Sequence, residues 1–164
     1  MRWIWIDKFV EFTSKSSATA IKNVTLAEEH LHDLFPAFPI MPASLIVEGM
    51  AQTAGILVGE ARNFSEKVIL AKIGRATFHT LVRPGDTLVY SARIVNLSES
   101  GASISGTVRL GLEDDALLVA DIELMFSHID KNLAGAAFPE HNFVFTQQFT
   151  QLLNSYRNAA NIPL

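Results

Sequence analysis

One carboxylate stands alone in an apolar run: Glu48, in the middle of LIVEGMAQ. A carboxylate placed there gives up water without gaining an evident charged partner, so burial is expected to raise its pKa. A carboxyl group held partly protonated near neutral pH can serve as a general acid. The plainer reading is a single acid on the wet side of a helix, but apolar residues flank it for several positions in both directions, where Glu is rarely found. Gln52 lies one helical turn further on the same face. Its amide could orient the carboxylate, or it could satisfy a nearby backbone group. The proline-rich stretch before Ala43 feeds straight into this segment, so the N–H groups around Ala43 and Ser44 open a helix and can polarise a carbonyl.

The histidines give a mixed picture. His30 and His32 precede the prolines, whereas His79, His128 and His141 are scattered. Read as an extended segment, HLH puts both imidazoles on one face, but no third ligand at a metal-site spacing accompanies them. No metal and no cofactor is therefore expected. Cysteine is absent, which excludes thiolate zinc sites, disulfides and a cysteine nucleophile. Arg75 and Arg83 read as solvated surface charges, with a weak patch for an acidic carrier as the alternative.

These residues need a scaffold. Residues 3–12 and 18–25 are rich in aromatic and β-branched types and predict two strands. In EEHLHDLFPAFPIMP, Pro36, Pro39 and Pro42 recur every third residue and forbid both helix interior and sheet ladder, leaving an irregular loop. From Ala43 to Glu60 apolar and small residues occupy nearly every face, with Pro42 suited to the first helical position, which predicts a helix buried all round. Four β-rich runs follow, from Val68, Asp86, Ala102 and Leu117, separated by RPGD, SESG and GLEDD turns. About six antiparallel strands can cover such a helix only by curling round it, and a second protomer is the simplest cover for its remaining side. The fold class is α+β, with a domain over 1–130 and an extension over 131–164. In the extension Phe145, Phe149, Leu152 and Tyr156 follow helical spacing, and packing on the sheet exterior is expected of that helix.

At 164 residues the chain suits one core. Its 49% hydrophobic and 18% charged composition is richer in apolar side chains than a monomer surface needs, which points to oligomerisation. A net charge of −4 without a Lys or Arg run argues against nucleic acid. No stretch of about 18 uncharged apolar residues is present and no leader pattern opens the chain, so a soluble cytoplasmic protein is expected, with no membrane partner.

AIKNVT, FPAFPIMPASLIVEGMAQTAGIL and VRPGDTL together resemble the FabZ and FabA dehydratases of fatty acid synthesis, from about Ala20 to about Ile129. The family pattern HFPGxPxxPGxLxxEAMAQ reads LFPAFPIMPASLIVEGMAQ here. The resemblance implies a hotdog fold in which two protomers share a sheet, and dimers can stack into higher oligomers. It also implies a lyase that removes water from 3-hydroxyacyl thioesters carried on acyl carrier protein or coenzyme A. In that family a histidine takes the C2 proton and an acid from the other protomer protonates the departing hydroxyl. Carried over, the acid falls on Glu48, the backbone donor to the thioester carbonyl on Ala43, and the histidine on Leu34.

Leucine accepts no proton, and loss of a general base costs on the order of 10² to 10⁴ in rate. The missing imidazole leaves water or His32 as the base, and His32, two extended residues or roughly 6 to 7 Å away, reaches the place only with a loop adjustment. Ala37 and Ala43 replace two glycines, which strains the loop if either position needs positive φ. Phe35, Phe38, Met41, Pro42, Gln52 and Phe78 are the expected substrate contacts, with Met50 helping to shape the tunnel. Three outcomes are open: a dehydratase of reduced or altered activity, a catalytically inactive acyl-thioester-binding protein, and a heterodimer in which a paralogue supplies the histidine. A thioesterase of the same fold is less favoured by the EGMAQ helix.

Overall fold

The computed structural model describes residues 4–113, 115–129, 139 and 141–160. The strands β1 (Lys8–Thr13) and β2 (Ser17–Asn23) form a hairpin, followed by the single helical turn α1 (His30–Asp33) and the long helix α2 (Ala43–Glu60). Four strands come next: β3 (Val68–Phe78), β4 (Thr87–Leu97), β5 (Gly101–Leu110) and β6 (Leu117–His128), and α3 (Gln147–Ala160) closes the described chain. All six strands pair antiparallel in one sheet of order β1-β2-β4-β5-β6-β3. Register shifts interrupt β1, β3, β4 and the β5–β6 pair, and such bulges bend and twist a sheet enough to curl it. The curled sheet touches α2 from β2, β3, β4, β5 and β6. This is the α+β hotdog architecture expected from the sequence.

Helix α2 lacks a polar face because the sheet surrounds most of it, and residues from Ile46 to Gly59 are largely buried. Its first two residues are exposed, so the burial expected all round fails at the N-terminal turn. Pro42 takes the N-cap position, one residue earlier than expected, and no side chain caps the helix. Gly49 stands where the family pattern has alanine. Tyr90 of β4 fills that space, and a Cβ at Gly49 would lie 2.5 Å from its ring. The Tyr90 hydroxyl is fully buried, and burial, reinforced by Asp7 and Glu28, drives its pKa upward.

Two expectations need correction. The first strand begins at Lys8 rather than residue 3, because the Asp7 carboxylate accepts the Asn23 N–H at 2.6 Å and turns the preceding residues off the sheet. Ile6 then enters the core. HLH is helical, not extended: backbone bonds from Leu31 to Glu28 and from His32 to Glu29 close the turn and send the two imidazoles to different sides.

The C-terminal helix exists, but it begins at Gln147, so Phe145 precedes it. Its destination also differs from the expected sheet exterior. Leu153 is buried in the main core, α3 packs on β1, and Arg157 pairs with Glu60 at the end of α2 at 2.6 Å. Asn142 fixes the approach: its Nδ2 donates to the Phe64 and Glu66 carbonyls, both at 3.0 Å, while its Oδ1 accepts the N–H groups of Val144 and Phe145. The domain boundary expected at 130 falls outside the described residues.

The two edges of the sheet differ. β1 is flanked by α3, whereas β3 is exposed along nearly its whole length and presents Ile69, Leu70, Ile73 and Phe78 to the surroundings. Among the described residues no helix is long and apolar enough to cross a membrane.

Candidate active site

Glu48 sits in the second turn of α2, half-buried rather than enclosed as expected, because it opens onto a cavity instead of packing against the sheet. Its Oε1 accepts a bond from Gln52 Nε2 at 2.8 Å, and Gln52 Oε1 accepts the Trp5 N–H, also at 2.8 Å. Both alternatives for Gln52 therefore hold at once. With a backbone donor fixing one end of the amide, the other end must donate to the carboxylate, so the relay determines which way Gln52 points.

Glu48 marks the polar end of a cavity of about 280 Å³. Gln52 and Gly55 of α2, Phe126 of β6, and Phe145 and Phe149 near the C-terminus help to line it. Among the described lining residues Glu48 is the one charged group, an arrangement suited to an apolar ligand that carries one reactive polar centre.

A second cavity, about 550 Å³, opens at the other side of the N-terminal turn of α2. Leu34, His30, Trp5, Pro42 and Ser44 contribute to its wall. Lys22 and Glu28 also reach it and pair at 2.8 Å, with His30 Nε2 3.6 Å from the other Glu28 oxygen. The His30 and Trp5 rings meet in a T-shaped contact, 5.1 Å between centroids. Burial lowers the His30 pKa from its ordinary value; Glu28 opposes the shift and Lys22 adds to it. Trp5 thus links the two cavities, holding Gln52 through its N–H and His30 through its ring.

The remaining candidates are distributed unevenly. Leu34 is 50% exposed, Pro42 lies on the second cavity, and Ala43 opens α2 with an exposed side chain. Neither Ala37 nor Ala43 is among the described non-glycine residues of positive φ, which are Lys15, Asn63 and Phe64, so the two missing glycines leave no backbone strain. Phe35, Phe38 and Phe78 are exposed and belong to neither cavity wall, and the Arg83 guanidinium covers the Phe38 ring at 4.4 Å. Met41 is core: it is 3% exposed and its N–H bonds the Val82 carbonyl at 2.8 Å. Arg75 pairs with Glu123 on the surface. His32 also stands apart, exposed, with Nε2 2.6 Å from the Leu26 carbonyl.

His30, rather than the expected His32, lines the cavity beside Leu34. The missed signal was spacing: His30 is four residues before Leu34, and Leu34 keeps helical dihedrals, so the two occupy one side of the turn. Phe145 and Phe149 were likewise not expected as part of the site. Gly55 and Gly59, four apart on α2, were the available signal, since they leave a bare stripe on the helix for an aromatic ring.

Comparisons with known proteins place the family and the fold. The family model of the FabA-like domain matches residues 4–123. The 3-hydroxyacyl-[acyl-carrier-protein] dehydratase FabZ of Thiobacillus denitrificans is 39% identical over 133 residues, covering 79% of this chain and 89% of that protein. Its namesake from Solibacter usitatus is 36% identical over 84% of this chain and 83% of its own length. Among solved structures, a chain of the dehydratase heterocomplex ApeI:P from Xenorhabdus doucetiae superposes with a TM-score of 0.63 at 14% identity, covering 81% of this chain and 90% of that one. A hypothetical thioesterase with coenzyme A from Streptococcus pneumoniae gives 0.56 at 6% identity, over 73% and 83%. At such identities the two structures speak for the fold, whereas the sequence matches speak for descent: the chain belongs to the FabA-like family of FabZ-type hotdog dehydratases.

Proposed function

We propose that the chain is a 3-hydroxyacyl-thioester dehydratase of reduced rate, with Glu48 as acid, His30 as base and the site completed by a second copy. The observation that carries this reading is the Glu48 carboxylate, held by Gln52 at the polar end of an apolar cavity. In the elimination His30 removes the C2 proton, the C2–H electron pair becomes the C2=C3 double bond, and the C3–O bond breaks. The hydroxyl leaves as water with the proton that Glu48 supplies. The uncapped N-terminus of α2 at Ala43 offers a backbone N–H to the thioester carbonyl, where negative charge develops.

Within one chain Glu48 and the Leu34/His30 wall belong to different cavities. Pairing two copies through the bare β3 edges would bring one copy's acid to the other's base. An apolar edge strand of this length is otherwise an invitation to aggregation, and a partner strand removes it. An Ile73→Lys variant is expected to run as a monomer by light scattering and to lose turnover together with the dimer. A monomer that keeps its turnover would show the site to be complete in one chain.

A neutral imidazole has the free ring nitrogen that a base needs. Because burial lowers the His30 pKa, the neutral form persists below the usual value of about 6.5. The acid limb of kcat/KM is therefore expected below that pH, and His30→Gln is expected to remove the limb and lower the rate. The same shift bears on folding. The unfolded chain binds a proton that the folded chain refuses, so stability is lost as pH falls from about 6.5 through the folded-state pKa.

The deciding experiment is mass-spectrometric conversion of 3-hydroxyacyl and 2-enoyl thioesters, on carrier protein and on coenzyme A, by the unmodified chain and by His30→Gln. Slow turnover that disappears in His30→Gln supports the reading. No turnover above background overturns it in favour of a partner role, in which a histidine-bearing paralogue pairs with this chain's Glu48. That second reading draws support from the separated half-sites and from the likeness in fold to a chain of a dehydratase heterocomplex. Copurification from the native cell would then recover the paralogue.

A further inference from the structure

We infer that the C-terminal segment, which lies beyond the matched family domain, is the end wall of the acyl channel and sets the longest chain the site accepts. The inference rests on the acyl-thioester reading of the Glu48 cavity and adds the length class of the acyl group. The family model stops at residue 123, yet Phe145 and Phe149 line the same cavity as Glu48. Their placement is built rather than incidental. Phe145 packs edge-on against Phe64 at 5.0 Å between centroids, and its ring lies so close over Gly59 that no Cβ would fit there. Asn142 holds the backbone of Val144 and Phe145, and the buried Leu153 with the Arg157–Glu60 pair anchors the helix behind them.

The helix axis supplies the ruler. The cavity follows α2 from Glu48 to Ile56, and at the rise of an α-helix that stretch is about 12 Å. Phe145 blocks the next turn at Gly59. An extended chain advances about 3.5 Å over three bonds, so about 12 Å holds roughly ten bonds. The site is thus a medium-chain one, with Glu48 beside the reacting carbons and the aromatic pair at the methyl end.

The test is calorimetric titration of the full chain with saturated acyl-pantetheine thioesters of graded even length, from about four to about eighteen carbons, a range that brackets the roughly ten-bond channel. Affinity is expected to rise with length, by about fourfold for each buried methylene, and to fall beyond the length that the channel holds. Phe149→Ala and Phe145→Ala are expected to move that ceiling to longer chains, Phe149→Trp to shorter ones, and Val95→Ala, an exposed β4 position outside both cavity walls, to leave it in place. Folded variants whose ceilings coincide with that of the unmodified chain would overturn the inference, as would failure to bind any of the thioesters. A length ceiling that shifts as stated in a chain without turnover would uphold it while the dehydratase reading falls.

Discussion

The Leu34→His variant is expected to dehydrate 3-hydroxyacyl thioesters faster than the unmodified chain, by the roughly 10² to 10⁴ of a positioned general base less whatever part of it His30 already supplies. Leu34 is half-exposed on the wall of the second cavity, so the exchange opens no void in the core and buries no polar ring. The loop that carries it needs no glycine in its backbone conformation, and Met41 ties it to the Val82 carbonyl. The scaffold for the new imidazole is therefore in place. Mass-spectrometric turnover measures the gain, and mixing tells where the acid comes from. A Leu34→His, Glu48→Gln double variant should be inactive alone. Mixed with the unmodified chain it should recover activity, because one site of the hybrid pair then joins the introduced base to an intact Glu48. Activity in Leu34→His that the mixture cannot reproduce would place acid and base within one chain. No gain at all in Leu34→His would show that the loop has moved away from the reacting carbons and would favour a binding role.

Glu48→Gln is expected to lower turnover by on the order of 10² or more, in the unmodified chain and in Leu34→His alike. The amide keeps the length of the carboxylate and an oxygen to accept the Gln52 bond, so the relay from Trp5 is preserved. What disappears is the proton for the departing hydroxyl. The loss should therefore appear in kcat with KM little changed, the pattern of an interaction made in the transition state alone. An equal loss in Gln52→Ala would be read differently, as displacement of the carboxylate. Unchanged turnover in a folded Glu48→Gln protein would remove Glu48 from the acid's role.

Much of the architecture was legible because its signals are redundant. Helix α2 declared itself by apolar residues on every face, a pattern that only an enclosing sheet satisfies, and the strands by β-rich runs between Pro and Gly turns. Glu48 stood out against that background for the same reason. The failures share a cause as well. α1 is a single turn of four residues, too short for periodicity to separate it from an extended segment, and the wrong geometry favoured His32 over His30. Phe145 and Phe149 showed their helical spacing, but nothing local states that their neighbours are Gly59 and the Glu48 cavity, about 90 residues earlier in the chain. Met41 was misread because loop residues near a site are expected to face it, whereas this one plugs the core beneath the loop.

The unequal edges of the sheet also govern how far association can proceed. A strand ladder grows without limit only when both ends accept another copy, as in a ribbon or fibre. Here α3 packs on β1, while β3 is exposed along nearly its whole length and suits the proposed pairing with an identical β3 about a two-fold axis. In the proposed pairing, a β3–β3 contact would use the exposed edge of each copy and would stop at two copies. On that reading the C-terminal helix would cap the sheet as well as bound the cavity, and trimming it is expected to free a second edge and to turn a finite particle, as light scattering sees it, into a polymerising one.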